Sequence, residues 1–331
     1  MTITRNQAFR LSRYPQGKLS MDIFDRVPLP LPNLTVGEFL VRQTHICLDP
    51  VMPHWLQQRH YNTFTPTQKS EIIQSYGVGK VIESLNPQFP VGVQVVGITG
   101  WNEYILGHSE MYIIDSSLPA EAVLSLFYFT GLTAYIGLIK LAQPKAGETL
   151  LIANAASTLG SLLGQLAKAK GLRVIGCSDS SKKCQYLVNE LGFDATIHMS
   201  HSHSATQLSL AAPDGIDIFF DNKDEPPQRL IYAQMNPSGR VIELDKPSAQ
   251  HPTSYHSSNL ESIQHRYLSL RGTMLSPYLE FMHESNQVIA EYLAQGKMTY
   301  QAHLIEGFEH LPEALIHYFN EEAMGTLIVK F

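Results

Sequence analysis

A short segment in the middle of the chain combines residue types and a spacing that could serve chemistry. A buried strand is predicted over 149–153, and apolar residues at helical spacing follow over 159–170. Between them lie Ala155, Ser157 and Gly160, at the three positions of a G-x-G-x-x-G pattern. Small residues there let the backbone turn tightly and approach a pyrophosphate, and the helix N-terminus offers N–H groups to its oxygens. The pattern predicts a dinucleotide-binding turn, although only the third position is glycine and an ordinary tight turn is the alternative.

Charged side chains follow the next predicted strand, which covers 173–177. Asp179 could accept a hydrogen bond from a ribose 2′-hydroxyl, as in proteins that bind NAD. Lys182 and Lys183 could instead bind the 2′-phosphate that distinguishes NADP. These residues leave the choice between the two cofactors open.

The order of predicted elements divides the chain into a β-rich part and an α/β part. Short strands with Gly and Pro between them, such as 37–46 and 79–84, predict a small barrel-like or open β domain. After Leu118, strands alternate with helices, which predicts an α/β fold with a parallel, doubly wound Rossmann sheet. A last strand over 325–331 follows a helix over 311–319 and is expected to return to the N-terminal domain.

Size and composition narrow the class of protein. A chain of 331 residues exceeds what one core usually serves, so two domains are expected. The net charge of -6, without a basic cluster, argues against a nucleic-acid or anionic-membrane partner. We expect no membrane-spanning run and no signal peptide. Three cysteines (Cys47, Cys177 and Cys184) are too few for a disulfide framework and fit a reducing compartment, so the expected location is the cytoplasm.

The possible metal ligands are too scattered to predict a zinc site. Catalytic zinc needs three convergent protein ligands and structural zinc needs four. Cys47 has no partner at ligand spacing, and the other two cysteines fall in the Rossmann part of the chain. His201 and His203 could bind a metal, but a solvated loop is the simpler interpretation. We therefore expect no metal.

Seven segments together resemble one family of oxidoreductases over nearly the whole chain. They are 48–50, 77–92, 100–104, 130–135, 143–149, 160–168 and 190–194. The family is the zinc-free medium-chain dehydrogenase/reductase superfamily. The branch that the chain resembles contains prostaglandin reductases, leukotriene hydroxydehydrogenases and bacterial NADP-dependent alkenal and curcumin reductases.

The resemblance implies a division into domains and an activity. It implies a GroES-like catalytic domain over 1–118, a Rossmann nucleotide-binding domain over 119–275, and a C-terminal segment, 276–331, that returns to the catalytic domain. It also implies hydride transfer from NADP(H) to an activated C=C bond beside the carbonyl group of a small apolar substrate. A homodimer is frequent in the family and is expected here.

Candidate site residues follow from the motifs and from the resemblance. The expected cofactor-binding residues are Ala155, Ser157, Gly160, Asp179, Lys183, Asn222 and Thr130. Three aromatic residues, Trp101, Tyr104 and Phe129, could line a substrate pocket, with core packing as the alternative.

Several positions depart from the family at the phosphate and nicotinamide contacts. The family's Asp-Asn-Val-Gly-Gly is replaced by the residues from Asp221 to Glu225, so that Asp224 and Glu225 stand in place of two glycines. Its later Cys-Gly pair aligns with Leu244 and Asp245. Added bulk and negative charge would oppose a polyanionic cofactor. These departures predict a degenerate site that binds NADP(H) weakly or not at all; the alternative is a working reductase that binds NADPH through other contacts.

Two alternatives to a reductase follow from these departures. The first is a non-redox enzyme on the same fold, a cyclase or isomerase that works by acid-base catalysis. Its candidate catalytic residues are Tyr255, Asp245, Lys246 and Glu225, because opposed charges in a partly buried site shift pKa values apart. The second alternative is a catalytically silent binding protein.

Overall fold

The computed structural model describes residues 5–49, 52–56, 67–199, 203–222, 228–244, 257–273, 275–320 and 324–331. The chain divides into two compact units. The first unit comprises Met1–Ser125 and Gln301–Phe331, and the second comprises Leu126–Tyr300.

Strands and helices follow in chain order through the described residues. The strands are β1 (Asn6–Leu11), β2 (Phe24–Leu29), β3 (Phe39–Leu48), β4 (Tyr76–Ser84), β5 (Gln94–Ile98), β6 (Tyr104–Gly107), β7 (Tyr112–Ile113), β8 (Thr149–Ile152), β9 (Arg173–Ser178), β10 (Ala195–His198), β11 (Ile216–Asp221), β12 (Met235–Leu244), β13 (Ser269–Thr273), β14 (Ala302–Glu306) and β15 (Thr326–Lys330). The α-helices are α1 (Met52–Trp55), α2 (Ala120–Leu126), α3 (Tyr128–Tyr135), α4 (Thr158–Ala169), α5 (Ser181–Asn189), α6 (Ser204–Ala211), α7 (Gln228–Tyr232), α8 (Ser257–His265), α9 (Met282–Ala294) and α10 (Leu311–Asn320). Helix α3 continues as a π-helix over Ile136–Ala142.

The first unit is built on a mixed β-sheet. Seven of the described strands form it: the order is β14-β15-β3-β4-β5-β7, and β6 also pairs with β3. Strand β15 runs antiparallel to β3 and places Val329 opposite Ile46. Both side chains are fully buried in the core of this unit. The pairing confirms that the C-terminal strand returns to the N-terminal domain.

The second unit contains the predicted parallel sheet. Its described strands follow the order β10-β9-β8-β11-β12-β13, and each neighbouring pair is parallel. The chain moves outward in one direction through β8, β9 and β10, and then starts again beside β8 with β11. In such a doubly wound sheet the crevice outside the carboxyl ends of the two central strands is the usual ligand site. The structure therefore directs attention to the residues that follow β8 and β11.

The predicted strands and helices of this unit are observed, with one shortened helix. The sequence pattern predicts a helix over 228–235, but α7 ends at Tyr232. Met235 already pairs with Ile216 at the start of β12, and the register of the two strands shifts after that pair. Met235 is buried, and it continues the strand rather than the helix because the neighbouring strand supplies hydrogen-bond partners for its backbone.

The two units also divide the chain differently from the expected domains. The first unit extends to Ser125 rather than to 118, and the segment 276–300 belongs to the second unit. Helix α9, within that segment, contacts α3. The side chain of Asn286 accepts a hydrogen bond from the backbone N–H of Tyr128 at 3.0 Å. This packing explains why only 301–331 joins the first unit.

One helical segment is longer and more apolar than expected from the sequence. Residues Ala120–Ala142 are long enough to cross a membrane, and their most apolar window of 18 residues has a mean hydropathy of 1.8. However, 78% of the segment's most apolar window is buried inside the protein. A core helix shows the same combination, so the segment is weak support for a membrane span.

A bidentate ion pair joins β12 to the segment that precedes β8. Arg240 donates two hydrogen bonds to the Glu148 carboxylate, at 2.9 and 2.6 Å, and a third to the carbonyl of Ala142 at 2.9 Å. Both charged side chains are only 18% exposed. Burial raises the pKa of Glu148, but hydrogen bonds from Arg240 and from the backbone of Lys145, together with both positive charges, outweigh it and lower that pKa. The pair therefore stabilises the folded state while Glu148 is ionised.

We predict that Arg240→Ala lowers the free energy of unfolding by about 1–3 kcal/mol, because a partly buried carboxylate loses two charged hydrogen bonds. The folded-state pKa of Glu148 is depressed, so this contribution is present above the ordinary pKa of glutamate, about 4.3, and is lost as the pH falls through the lower folded value. Urea unfolding of both proteins over a pH series measures it.

Lys168→Ala is the matched control. It removes a cation that contacts Asp194 at 2.8 Å on a more exposed surface, and a loss below about 1 kcal/mol is expected there. Equal losses in the two variants would contradict a special role for Arg240.

Candidate functional site

The loop between β8 and α4 forms a compact turn, which we call the phosphate turn and define as Ala153–Ser157. Ser157 is the N-cap of α4, and its hydroxyl oxygen accepts a hydrogen bond from the backbone N–H of Gly160 at 3.1 Å. The same hydroxyl donates to the carbonyl of Asn154 at 2.8 Å. Ser157 therefore ties the turn to the first turn of the helix. Ser157 occupies the second glycine position of the G-x-G-x-x-G pattern. There it stabilises the local structure as a helix cap instead of only adding bulk.

Gly160 allows the helix to pack unusually close to the turn. A Cβ atom on this residue would lie 2.1 Å from the carbonyl oxygen of Asn154 and 2.8 Å from the Cα of Ala155. Both neighbours are backbone atoms, which cannot move aside as a flexible side chain could. Ala155 occupies the first glycine position of the G-x-G-x-x-G pattern. It is fully buried, and its N–H donates to the carbonyl of Cys177 at 3.1 Å. The turn thus has the close strand–helix approach that the dinucleotide pattern predicts.

Asn222 follows β11 and reaches the phosphate turn from the neighbouring strand. Its Oδ1 accepts a hydrogen bond from the backbone N–H of Asn154 at 2.8 Å, and its Nδ2 donates to the carbonyl of the same residue at 3.1 Å. Asn222 was expected among the cofactor-binding residues, but this bridge was not anticipated from the sequence. Asn154, its partner, was not singled out at all.

The expected ribose-binding residues follow β9, the strand next to β8. Asp179 is exposed directly after the strand, and Lys183 is half-buried in the first turn of α5. Ser180 is the N-cap of that helix and accepts a hydrogen bond from the backbone N–H of Lys183 at 3.5 Å. The structure therefore brings Asp179 and Lys183 to the carboxyl end of the parallel sheet, where the phosphate turn also lies.

Helix α3 carries Phe129 and Thr130, which are both half-buried. Its first residue, Tyr128, has a positive φ of 52°, a conformation that costs a non-glycine residue about 1–3 kcal/mol. The bond from its N–H to Asn286 helps to hold this bend. The first turn of α3, with Thr130, is thereby fixed against α9.

The other end of α3 is fixed by a polar network. The hydroxyl of Tyr135 donates to Glu284 at 2.6 Å, and Lys140 approaches the same carboxylate at 3.2 Å. The hydrogen bond from Tyr135 lowers the pKa of Glu284 against the smaller effect of burial, and Lys140 lowers it further. Burial, followed by the bond to Glu284, raises the pKa of Tyr135. Tyr135 therefore serves as a hydrogen-bond donor within the fold.

The three aromatic candidates for a substrate pocket differ in burial. Trp101 is fully buried, stacks on Phe24 with ring centroids 5.5 Å apart, and meets Phe9 edge-on. We therefore assign Trp101 to the core of the first unit, the alternative considered for it. Tyr104 in the first unit and Phe129 in the second are half-buried and remain candidates.

The proposed acid-base residues lie outside the described part of the chain. These are Tyr255, Asp245, Lys246 and Glu225, together with the substituted glycine position at Asp224. The structure does describe Glu243, which is half-buried near the carboxyl end of β12. Among the described residues, no three His, Cys, Asp or Glu side chains lie together as a possible metal site.

The positively polarised groups at the carboxyl end of the parallel sheet suit a dinucleotide. The N-terminus of α4 presents the positive end of its dipole beside the phosphate turn, and Lys183 adds a full positive charge after the adjacent strand. The space that a Cβ on Gly160 would fill is taken by the backbone of the turn, so the helix lies against it. The residues present therefore fit the pyrophosphate and ribose phosphate of a nucleotide cofactor.

Comparison with known proteins agrees with this geometry. Residues 7–114 match the family described as the N-terminal domain of oxidoreductase, and residues 158–291 match the family described as zinc-binding dehydrogenase. The chain is 32% identical to the putative NADP-dependent oxidoreductase YfmJ of Bacillus subtilis, over 100% of this chain and 98% of that protein.

Two further similarities cover nearly complete chains. Prostaglandin reductase 1 of Bos taurus is 29% identical, over 98% of each chain. The crystal structure of CurA in complex with NADPH from Vibrio vulnificus superposes with a TM-score of 0.90 at 28% identity, also over 98% of each chain. From the matched domains, the shared sheet and these relatives, we conclude that the chain belongs to the medium-chain dehydrogenase/reductase superfamily, in its zinc-free branch of prostaglandin and curcumin reductases.

Proposed function

We propose that this protein is an NADPH-dependent reductase that saturates an activated C=C bond in a small, apolar enone or enal, without zinc. The observation that carries this proposal is the phosphate turn together with Lys183, at the carboxyl ends of the neighbouring parallel strands β8 and β9. The complex of CurA with NADPH and the similarity to prostaglandin reductase 1 support the same activity.

NADPH, when bound, supplies a hydride to the carbon β to the carbonyl group, and a proton completes the reduction at the α-carbon. The work of the described residues is to bind and orient the cofactor. The N-terminus of α4 would bind the pyrophosphate, and the Gly160 contact keeps that helix close to the turn. Such pre-organised positioning lowers the barrier to hydride transfer because the reactants are held in place before the reaction.

Lys183 provides the preference for NADPH over NADH. Its ammonium group would bind the 2′-phosphate, which NADH lacks, and the N-cap bond from Ser180 holds its helical turn in place. Asp179 is exposed, and its carboxylate has the wrong sign of charge to bind a 2′-phosphate. The lysine is therefore the more important of the two charges for cofactor choice.

The altered phosphate turn remains a working site in this proposal, in contrast to the degenerate site expected from the sequence. Ser157 satisfies the N–H of Gly160 and the carbonyl of Asn154, so the substitution of glycine by serine preserves the turn. The acids at 224 and 225 lie outside the described residues.

A homodimer is also proposed, with β13 at its centre. Strand β13 lies at one edge of the parallel sheet among the described strands. Two large apolar residues nearby are exposed: Leu260 on α8 by 50% and Tyr267 by 79%. Open strand edges and exposed apolar side chains favour association. With its cysteines free, we place this dimer in the cytoplasm.

The first prediction tests the reaction itself. The purified protein is expected to consume NADPH with a small enal or cyclic enone and to release the saturated carbonyl compound. With NADPH deuterated at the transferred position, mass spectrometry should find the label on the β-carbon. NADPH binding without turnover on any such substrate would overturn the reductase assignment, and a lack of NADPH binding even at high concentration would favour the non-redox alternatives.

The second prediction concerns Lys183. In Lys183→Ala, the Kd for NADPH should rise about tenfold or more, because a charge-assisted hydrogen bond is lost, while the Kd for NADH stays the same. Fluorescence titration measures both constants. Lys170→Ala removes the same charge from the opposite end of α4 and should leave both constants unchanged. An equal loss for the two cofactors in Lys183→Ala would be inconsistent with a 2′-phosphate contact.

The third prediction concerns the dimer. Wild-type protein should have a mass of twice 37.0 kDa by light scattering, and the double variant Leu260→Glu, Tyr267→Glu should be monomeric because it places charges at the proposed interface. Leu210→Glu, at a residue 76% exposed on α6, is the control and should stay dimeric. A monomeric wild type, or a dimeric double variant, would contradict the proposal.

A further inference from the structure

The backbone N–H and C=O of Asn154 lie at the carboxyl end of the sheet and are held by side chains. Its N–H and its carbonyl both contact Asn222, at 2.8 and 3.1 Å, and the carbonyl also accepts from Ser157 at 2.8 Å. The side chain of Asn154 is exposed, so core packing does not fix this residue. Three hydrogen bonds from two side chains therefore determine the position of this part of the phosphate turn.

The register of the sheet explains why Asn222 can make this contact. Strands β8 and β11 are paired from Leu150 opposite Ile218 to Ile152 opposite Phe220. The N–H of Ala153 continues the ladder by donating to the carbonyl of Phe220 at 3.0 Å. Extending the same register by two residues brings Asn222 beside Asn154. The side-chain amide thus replaces a strand partner where the backbone of β8 leaves the sheet.

The chemistry of this position requires a side chain with both a donor and an acceptor. A carboxamide offers one NH₂ group and one carbonyl oxygen in the same plane, which matches the backbone N–H and C=O of one residue when both face it. A carboxylate would keep the acceptor but face the Asn154 carbonyl with a negative charge. An alanine would leave the Asn154 N–H to water and the Asn154 carbonyl with Ser157 as its one side-chain donor.

We propose that Asn222 is a positioning residue rather than a residue that touches the cofactor: it orients the phosphate turn by bonding the backbone N–H and C=O of Asn154. Ser157 bonds the same C=O, and we call the two side chains together the clamp. This inference rests on the proposed binding of NADPH. The clamp holds the Asn154 carbonyl at the close approach that only a glycine at position 160 permits, and it would thereby aim the N-terminus of α4 at the pyrophosphate. Any nucleotide with a pyrophosphate would depend on it, with or without a 2′-phosphate.

The test uses Asn222→Ala and Ser157→Ala, singly and together. Asn222→Ala is expected to raise the Kd of NADPH and that of NADH by the same factor, about tenfold. The double variant should bind NADPH more tightly than the product of the two single factors predicts, because both residues act on the same carbonyl. Independent, multiplicative effects would indicate a direct cofactor contact by Asn222 and would overturn the clamp.

Hydrogen exchange provides a readout that needs no cofactor. In the free protein, Asn222→Ala should speed exchange of the backbone N–H groups of the phosphate turn and of Gly160, while the amides of β9 stay protected. Unchanged exchange in the turn would overturn the clamp.

Asn236→Ala is the matched control at the opposite end of the sheet. Asn236 is also half-buried and donates one amide hydrogen bond to Asp217 at 2.8 Å. Its loss should lower Tm without changing either Kd, which separates positioning from general stability. If wild-type protein does not bind NADPH, the proposed function fails and the clamp fails with it. If wild type binds and Asn222→Ala binds equally well, only the clamp is overturned.

Discussion

The close contact between the start of α4 and the end of β8 is the constraint on which the nucleotide site depends. The space between Gly160 and the Asn154 carbonyl is too small for a Cβ atom, so the helix lies directly against the turn. This close packing of α4 on the end of β8 determines the direction of the helix N-terminus. It also determines which backbone groups stay exposed at the carboxyl end of the sheet. A larger residue would have to push the helix away from the strand, and the donors of its first turn would move with it.

Side-chain hydrogen bonds continue what the β-ladder begins. Backbone pairing between β8 and β11 ends where the chain turns, and Asn222 and Ser157 then bond the backbone N–H and C=O of Asn154. These backbone groups take their hydrogen-bond partners from polar residues of the site itself. The same residues therefore support the fold and shape the ligand edge, which joins stability to function in this unit.

Judging substitutions by comparison with a family pattern has a limit that Ser157 makes clear. In the sequence, a serine in place of a glycine suggests less space for a phosphate. In the folded chain the hydroxyl is turned inward, as an N-cap that accepts from Gly160. Trp101 shows the opposite case. It lies in a family motif and was a candidate for the substrate pocket, but it packs in the core and stacks on Phe24.

The elements, their order and the class of the site could be predicted from the amino-acid sequence. Hydrophobic periodicity depends on local geometry, so the strands and helices of the α/β unit were predictable, and the small residues from Ala155 to Gly160 indicated a nucleotide turn. The contact of Asn222 with Asn154, 68 residues away along the chain, became visible only in the folded protein. That contact depends on strand order and register, which arise from the packing of the whole sheet and leave no periodic signal in the sequence.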